Sequence, residues 1–292
     1  MFSGSIVALV TPMKPSGEVD WVALDALIDW HLESGTHGIV PVGTTGESAT
    51  LTVPEHKQVI QATVRRVDGK IPVIAGTGAN ATAEAVELTR EAKEVGADAA
   101  LLVTPYYNKP TQEGLYRHYS LIAESVDIPM VLYNVPPRTA CDMQAETVAR
   151  LAPIDNIVGI KEACGDAERV GEIKKLVSDD SFIVLSGEDA QTFRMMELGA
   201  VGTISVTANV LPRQMAEFCE NFLSHDKNGA AAWDEKLQPI HDILFCETSP
   251  IPTKWALNAM GKIQNGIRLP LVWLSDGLHG GVRERLKEIG AL

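Results

Sequence analysis

Ile157-Val-Gly-Ile-Lys161-Glu162 decides how the rest of the chain is read. An apolar run rich in β-branched residues ends abruptly in a lysine. Read as a buried strand, it delivers one amine to the interior instead of the surface. Two other runs end in the same manner. Pro129-Met-Val-Leu-Tyr133-Asn134 stops at a phenol and an amide, and Gly38-Ile-Val-Pro-Val42 runs into Gly43-Thr-Thr-Gly-Glu-Ser48. Apolar strands with reactive tips, repeated along one chain, describe a single site built at the ends of parallel strands.

Outward from this stretch the pattern recurs in both directions. Buried-type strands are expected over 5–10, 38–42, 71–75, 98–103, 128–133, 157–160, 182–185 and 201–205. Amphipathic helices fall between them, over 21–34, onward from Pro54, and over 82–95, 112–125, 145–151, 167–177 and 190–198. In the first, Leu24, Leu27, Ile28 and Leu32 share a face and Gly35 stops the helix; in the third, Ala85, Leu88, Ala92 and Val95 form the stripe. Strands alternating with helices about every 30 residues imply parallel pairing. Eight such units close into an α/β fold of the (β/α)8 TIM-barrel type, typically ~250 residues long. The rival, a doubly wound open sheet, needs a phosphate-binding fingerprint after its first strand, and Val10-Thr-Pro-Met is not one.

About 85 residues remain after the eighth strand, with helical patterns over 212–223, 230–244, 252–260 and 281–289. This exceeds one closing helix. The expected organisation is a catalytic barrel over 1–224 and a C-terminal α-helical extension over 225–292, packed on the barrel without a linker.

The bulk composition narrows the function. A net charge of −13 argues against nucleic-acid and anionic-membrane partners, and 5% aromatics against a base-stacking surface. Cys141, Cys164, Cys219 and Cys246 are scattered with no C-x-x-C, as expected of reduced thiols in a cytoplasmic protein. No basic segment followed by a long apolar one opens the chain, so no signal peptide is expected, and no apolar run approaches the ~20 residues of a membrane span.

In a barrel, chemistry sits at the C-terminal ends of the strands. Those ends are Thr11-Pro12, Gly43 to Glu47, Gly76-Thr77-Gly78, Thr104 to Tyr107, Tyr133-Asn134, Lys161-Glu162, Ser186-Gly187 and Ser205. Lys161 is the one cation in this ring. Burial lowers a lysine pKa, and a neutral amine can attack a ketone to form a Schiff base that acidifies the adjacent carbon. The competing reading pairs Lys161 with Glu162. Tyr133 is a candidate proton shuttle, with Thr44 and Tyr107 as hydroxyl neighbours, or equally a core aromatic. The amides of Gly43-Thr-Thr-Gly46 can converge on a carboxylate or phosphate, or simply make a tight turn. Gly76-Thr-Gly-Ala-Asn-Ala81 fits a G-x-G-x-x-A pattern but lacks the context of a dinucleotide site. The seven histidines show no ligand spacing, so no metal site is expected, and no G-x-S-x-G elbow or P-loop is present.

Taken together, Gly43-Thr-Thr-Gly-Glu-Ser48, Tyr133-Asn-Val-Pro-Pro-Arg138-Thr139 and Gly159-Ile-Lys161-Glu162 resemble the signature blocks of the dihydrodipicolinate synthases. The similarity extends from Ser3-Gly-Ser-Ile-Val-Ala-Leu-Val-Thr-Pro12, through Gly76-Thr-Gly-Ala-Asn80 and Val103-Thr-Pro-Tyr-Tyr107, to Ile251-Pro-Thr-Lys254. The resemblance implies a cytoplasmic homotetramer, a dimer of dimers, that needs no cofactor. It implies condensation of pyruvate with L-aspartate 4-semialdehyde, the first committed step towards diaminopimelate and lysine. On that match Lys161 forms the imine, and Thr44, Tyr107 and Tyr133 form a proton relay, Tyr107 reaching across a subunit interface. Thr45 holds the pyruvate carboxylate, Arg138 that of the semialdehyde, and Gly187 and Ile204 supply backbone carbonyls.

Two alternatives stand beside this expectation. N-acetylneuraminate lyases and other 2-keto acid aldolases are similar in fold and lysine chemistry but generally lack an arginine in the Arg138 block. A guanidinium grips a carboxylate at two points, which suits a short dicarbonyl substrate. A non-catalytic lysine-sensing barrel need not retain Lys161, Tyr133 and Thr44 together. The same resemblance implies an L-lysine effector pocket at Ser48, Ala49, His56, Asn80, Glu84 and Tyr106, with Val53 replacing a histidine found in some lysine-sensitive members. The competing reading has Asn80 capping the following helix and Glu84 in its first turn.

Overall fold

A computed structural model describes residues 2–292. The elements alternate: β1 (Gly4–Ala8), α1 (Trp21–Glu33), β2 (Gly38–Val40), α2 (Val53–Val67), β3 (Ile74–Gly76), α3 (Thr82–Glu94), β4 (Ala99–Val103) and α4 (Gln112–Ser125). Then come β5 (Met130–Asn134), the short α5 (Pro136–Thr139), α6 (Ala145–Leu151), β6 (Ile157–Glu162), α7 (Glu168–Leu176), β7 (Ile183–Ser186), α8 (Thr192–Glu197) and β8 (Gly202–Ser205). The strands form one eight-stranded sheet in the order β2-β1-β8-β7-β6-β5-β4-β3, with every pairing parallel. The remaining seam is made by an isolated parallel bridge, Ile39 to Val73, and by Ile39 N and Gly76 N donating to Pro72 O and Pro41 O at 3.0 and 3.1 Å. The sheet is thereby a nearly closed (β/α)8 barrel.

Two apolar layers follow from the strand alternation. Ile6, Ala8, Val40, Ile74, Leu101, Val131, Tyr133, Leu185 and Ile204 fill the barrel interior. Val7, Ile39, Leu102, Leu132, Ile160 and Val184 face outward into the larger core beneath the helices. Adjacent residues on a strand point to opposite faces, so register decides which side chains enter the interior. Between β5 and β6 the register shifts: Met130 pairs with Ile157 but Val131 with Gly159, and Tyr133 then stands beside Lys161. That irregularity places the amine and the phenol on the same inner face.

Strands and helices lie where the pattern puts them, with shifts at the ends and one addition, the short α5, which the pattern does not predict. β3 starts at Ile74 rather than residue 71, because Pro72 has no N–H to give the ladder. Beyond β8 the chain forms α9 (Pro212–Leu223), α10 (Lys227–Ile243), α11 (Ile251–Ala259) and α12 (Asp276–Glu288). α10 begins three residues ahead of the expected 230 because Asp226 caps it, accepting from Gly229 N at 3.0 Å. α12 begins at Asp276 rather than 281. Its glycines weaken local helix preference, but His279 stacks on Trp255 and Val282 and Leu286 are fully buried. No helix among the described residues is long and apolar enough to cross a membrane.

Candidate active site

Lys161, the penultimate residue of β6, faces inward and is 5% exposed. Its Nζ lies 4.2 Å from the centre of the Tyr133 ring. Among the described residues no carboxylate reaches it within salt-bridge distance. The pairing with Glu162 does not form, because neighbouring strand residues project to opposite faces. Glu162 instead accepts from Asn134 Nδ2 at 3.0 Å and from Cys164 N at 2.8 Å, behind the barrel wall. Burial pulls the Lys161 pKa down to about 8; Asp189 and Glu188 oppose this and Arg138 adds to it. An amine with that pKa is neutral far more often near pH 7 than a free lysine at ~10.4.

The room for this side chain comes from a glycine. A Cβ on Gly187, at the tip of β7, would sit 2.7 Å from Ala163 Cβ and 2.9 Å from Lys161 Cε. Tyr133 is pushed the other way, up to about 12, chiefly by burial, with Arg138 and the nearby Thr44 hydroxyl tempering the rise. The phenol therefore stays protonated beside an amine that readily gives up its proton.

The loop after β2 contributes the hydroxyls. Gly46 N, Glu47 N and Ser48 N turn back on Gly43 O, Thr44 O and Gly43 O at 3.0, 3.1 and 3.4 Å. The amides of Thr44 and Thr45 find no acceptor among the described residues, which leaves them free for an anion. Lys161, Tyr133, Thr44, Thr45, Arg138 and Gly187 all line one cavity of about 60 Å³ at the barrel mouth. Arg138 sits on α5, exposed, with Nη2 donating to Ser249 O at 3.3 Å.

Two expected residues fall outside this cavity. Ile204 packs in the barrel interior while Val206 lines the cavity. Tyr107 is 89% exposed with a left-handed backbone, φ 73°. Glu188, Phe245 and Ser249, which the sequence pattern does not single out, also line the cavity. Glu188 directly follows the Gly187 tip; burial and Asp189 raise its pKa. Phe245 and Ser249 arrive from the segment between α10 and α11, with no local signal. Cys164 is an unsuitable nucleophile, its thiol pushed up to about 12 by burial and by Glu162.

A neighbouring cavity of about 290 Å³ gathers Ser48, Ala49, His56, Glu84 and Tyr106. Asn80 borders it, Nδ2 donating to Tyr106 O at 3.3 Å. Asn80 does not cap α3: the N-cap is Ala81, without a side-chain bond, while Glu84 does lie in the first turn. Val53 is 44% exposed and does not line the cavity. Thr44 and Arg138 line both cavities. The G-x-G-x-x-A stretch has a packing explanation, since Cβ atoms on Gly76 and Gly78 would strike Val42 O at 2.5 Å and Val103 N at 2.3 Å. No cluster of metal-ligating side chains occurs among the described residues. A cavity of about 640 Å³ opens at the opposite end of the barrel, between Phe2, Ile154, Val158 and Phe182.

A buried amine at the mouth of a (β/α)8 barrel, beside a phenol and a hydroxyl-bearing anion loop, defines a class I, aldolase-type lyase. Residues 1–289 match the Dihydrodipicolinate synthetase family, and the chain belongs to it. It is 61% identical, over all of both chains, to a Pseudomonas putida (strain W619) protein named 4-hydroxy-tetrahydrodipicolinate synthase. The crystal structure of chloride-inhibited dihydrodipicolinate synthase from Acinetobacter baumannii complexed with pyruvate superposes with a TM-score of 0.98, at 52% identity and full coverage of both chains. The Cyanidioschyzon merolae enzyme with lysine bound superposes at 0.96, with 37% identity, 100% of this chain and 99% of that one.

Proposed function

We propose that this chain is a 4-hydroxy-tetrahydrodipicolinate synthase that condenses pyruvate with L-aspartate 4-semialdehyde through an imine on Lys161. The observation that bears most weight is Lys161 itself, buried, held against Tyr133 and with no carboxylate at salt-bridge distance among the described residues. Its neutral amine adds to the pyruvate ketone and water leaves. The resulting iminium draws electrons from the methyl carbon, which loses a proton and becomes a nucleophilic enamine carbon. That carbon attacks the aldehyde of the second substrate. The substrate's own amine then displaces Lys161 as the ring closes, and the enzyme is regenerated.

The neighbouring groups divide the remaining tasks. The free amides and hydroxyl of Thr44-Thr45 suit the pyruvate carboxylate. Tyr133 and Thr44 pass protons between cavity and solvent. The exposed, left-handed Tyr107 suits a relay completed by a second copy of the chain, which makes the active form an oligomer, a homotetramer on the family pattern. A cytoplasmic location fits the biosynthetic enzyme named among its relatives. Arg138, at the exposed rim, suits the semialdehyde carboxylate.

Steady-state kinetics test the division. Arg138→Ala raises the semialdehyde KM at least about tenfold, the worth of a charge-assisted contact, while pyruvate still forms the imine. Unchanged semialdehyde KM would contradict the assignment. The second cavity suits L-lysine, with Glu84 for the ammonium and the Asn80 amide for the carboxylate. Calorimetry detects that binding, and Glu84→Ala abolishes it; no heat at millimolar L-lysine would remove the effector from the account.

A further inference from the structure

Glu47 lines neither cavity, yet it sits between the residues that build both. Before it come Thr44 and Thr45, and after it Ser48 and Ala49. Its backbone is left-handed (φ 58°), as is that of Val42, which opens the loop (φ 48°), a conformation β-branched residues rarely adopt. A loop bent in this way persists only where its surroundings over-determine it.

The constraint comes from the far end of the chain. Glu47 Oε1 accepts from Lys254 Nζ on α11, and the two side chains are 1% and 0% exposed. Glu47 Oε2 accepts from the backbone N of Arg268 at 3.2 Å. The Arg268 guanidinium donates to Gly17 O at 2.8 Å, to Thr50 O at 2.7 Å and twice to Glu55, the residue completing the α2 capping box. Gln264 reaches Asp20, the cap of α1, at 2.8 Å. A Cβ on Gly266 would strike Met13 O at 2.2 Å, so the segment lies directly on the β1–α1 loop. Residues 254–268 thus strap down the loops after β1 and β2. From the barrel side Thr11 Oγ1 donates to Gly46 O at 2.7 Å.

A buried ion pair is weak evidence for stability, since desolvation offsets the attraction; its better-attested use is to fix one arrangement. We infer that Glu47 and Lys254 are positioning residues: through them the C-terminal strap sets the shape of the 43–48 loop, and so governs both keto-acid capture at Lys161 and ligand response in the second cavity. This rests on the reading of Lys161 given above.

The test uses the full chain as Glu47→Gln/Lys254→Met, which removes both charges and keeps the volumes. Hydrogen exchange of peptides covering residues 43–50 should quicken about tenfold or more as the loop loosens. The pyruvate KM and the half-inhibiting concentration of L-lysine should both rise by about the same factor. A folded double variant with unchanged loop exchange, pyruvate KM and L-lysine response overturns the inference, as does a lowered Tm without those changes. If the double variant does not fold, Arg268→Gln, at a side chain 20% exposed, decides the matter. It should shift the same readouts in the same direction by less, and unchanged loop exchange overturns the inference. If the unaltered protein forms no imine with pyruvate, the functional reading fails separately, and loop exchange still reports on the strap.

Discussion

Gly187→Ala tests whether the barrel mouth is shaped around the lysine. The added methyl would lie 2.7 Å from Ala163 Cβ, 2.9 Å from Lys161 Cε and 3.0 Å from Glu162 O. Unstrained carbon contacts are about 3.5–4.0 Å. Ala163 Cβ and the Glu162 carbonyl are fixed to the backbone at the end of β6 and cannot rotate away. The Lys161 stem can, so it absorbs most of the strain. Overpacking of this size costs about 1–3 kcal/mol. At about 1.36 kcal/mol per decade, that is roughly a 5- to 150-fold loss in imine formation. The assay is a borohydride quench time course with pyruvate, read by intact mass. Gly171→Ala on α7 serves as the control, because its Cβ meets only Leu198 Cδ2 at an ordinary 3.7 Å. A folded Gly187→Ala protein that traps imine at the unaltered rate would refute the reasoning.

Two pH dependences follow from buried groups. Imine formation requires the neutral Lys161 amine, so its rate should climb with pH, bend near about 8 and flatten above; a bend near 10 would mean that burial does not lower the amine. His31, His56 and His118 are held down to about 3, 4 and 4 by burial, so the folded state binds fewer protons than the unfolded state below 6.5. Their contribution is complete above pH 6.5 and is lost as pH falls towards 4, on the order of 2 kcal/mol each by pH 5. The urea midpoint should drop over that range, and His31→Leu should make the descent shallower. An unchanged slope would count against it.

How much was readable in the sequence depended on distance along the chain. The eight strand tips were legible because each apolar run is local and ends at a chemically distinct residue. Lys161, Tyr133, Thr44, Thr45, Arg138 and Gly187 come from those tips and the turns just after them, and they line one cavity. The register shift that aligns Tyr133 with Lys161 is a property of two paired strands and leaves no mark in either alone. Phe245 and Ser249 enter the site from the helical extension, and Lys254 meets Glu47 across 207 residues, so no window of sequence contains these contacts. Glu188 is different. It directly follows the Gly187 tip, but a single carboxylate after a strand carries no pattern that separates it from a solvated surface residue. The start of α12 is hidden for a further reason, since its glycines argue locally against a helix that tertiary packing stabilises.

The chemistry depends on one reactive amine, and peptide mapping reads it directly. Borohydride reduction of the protein with pyruvate should add a single three-carbon acid adduct, located on Lys161 and missing from Lys161→Arg. An adduct on another lysine, or none on a folded protein, would contradict the account.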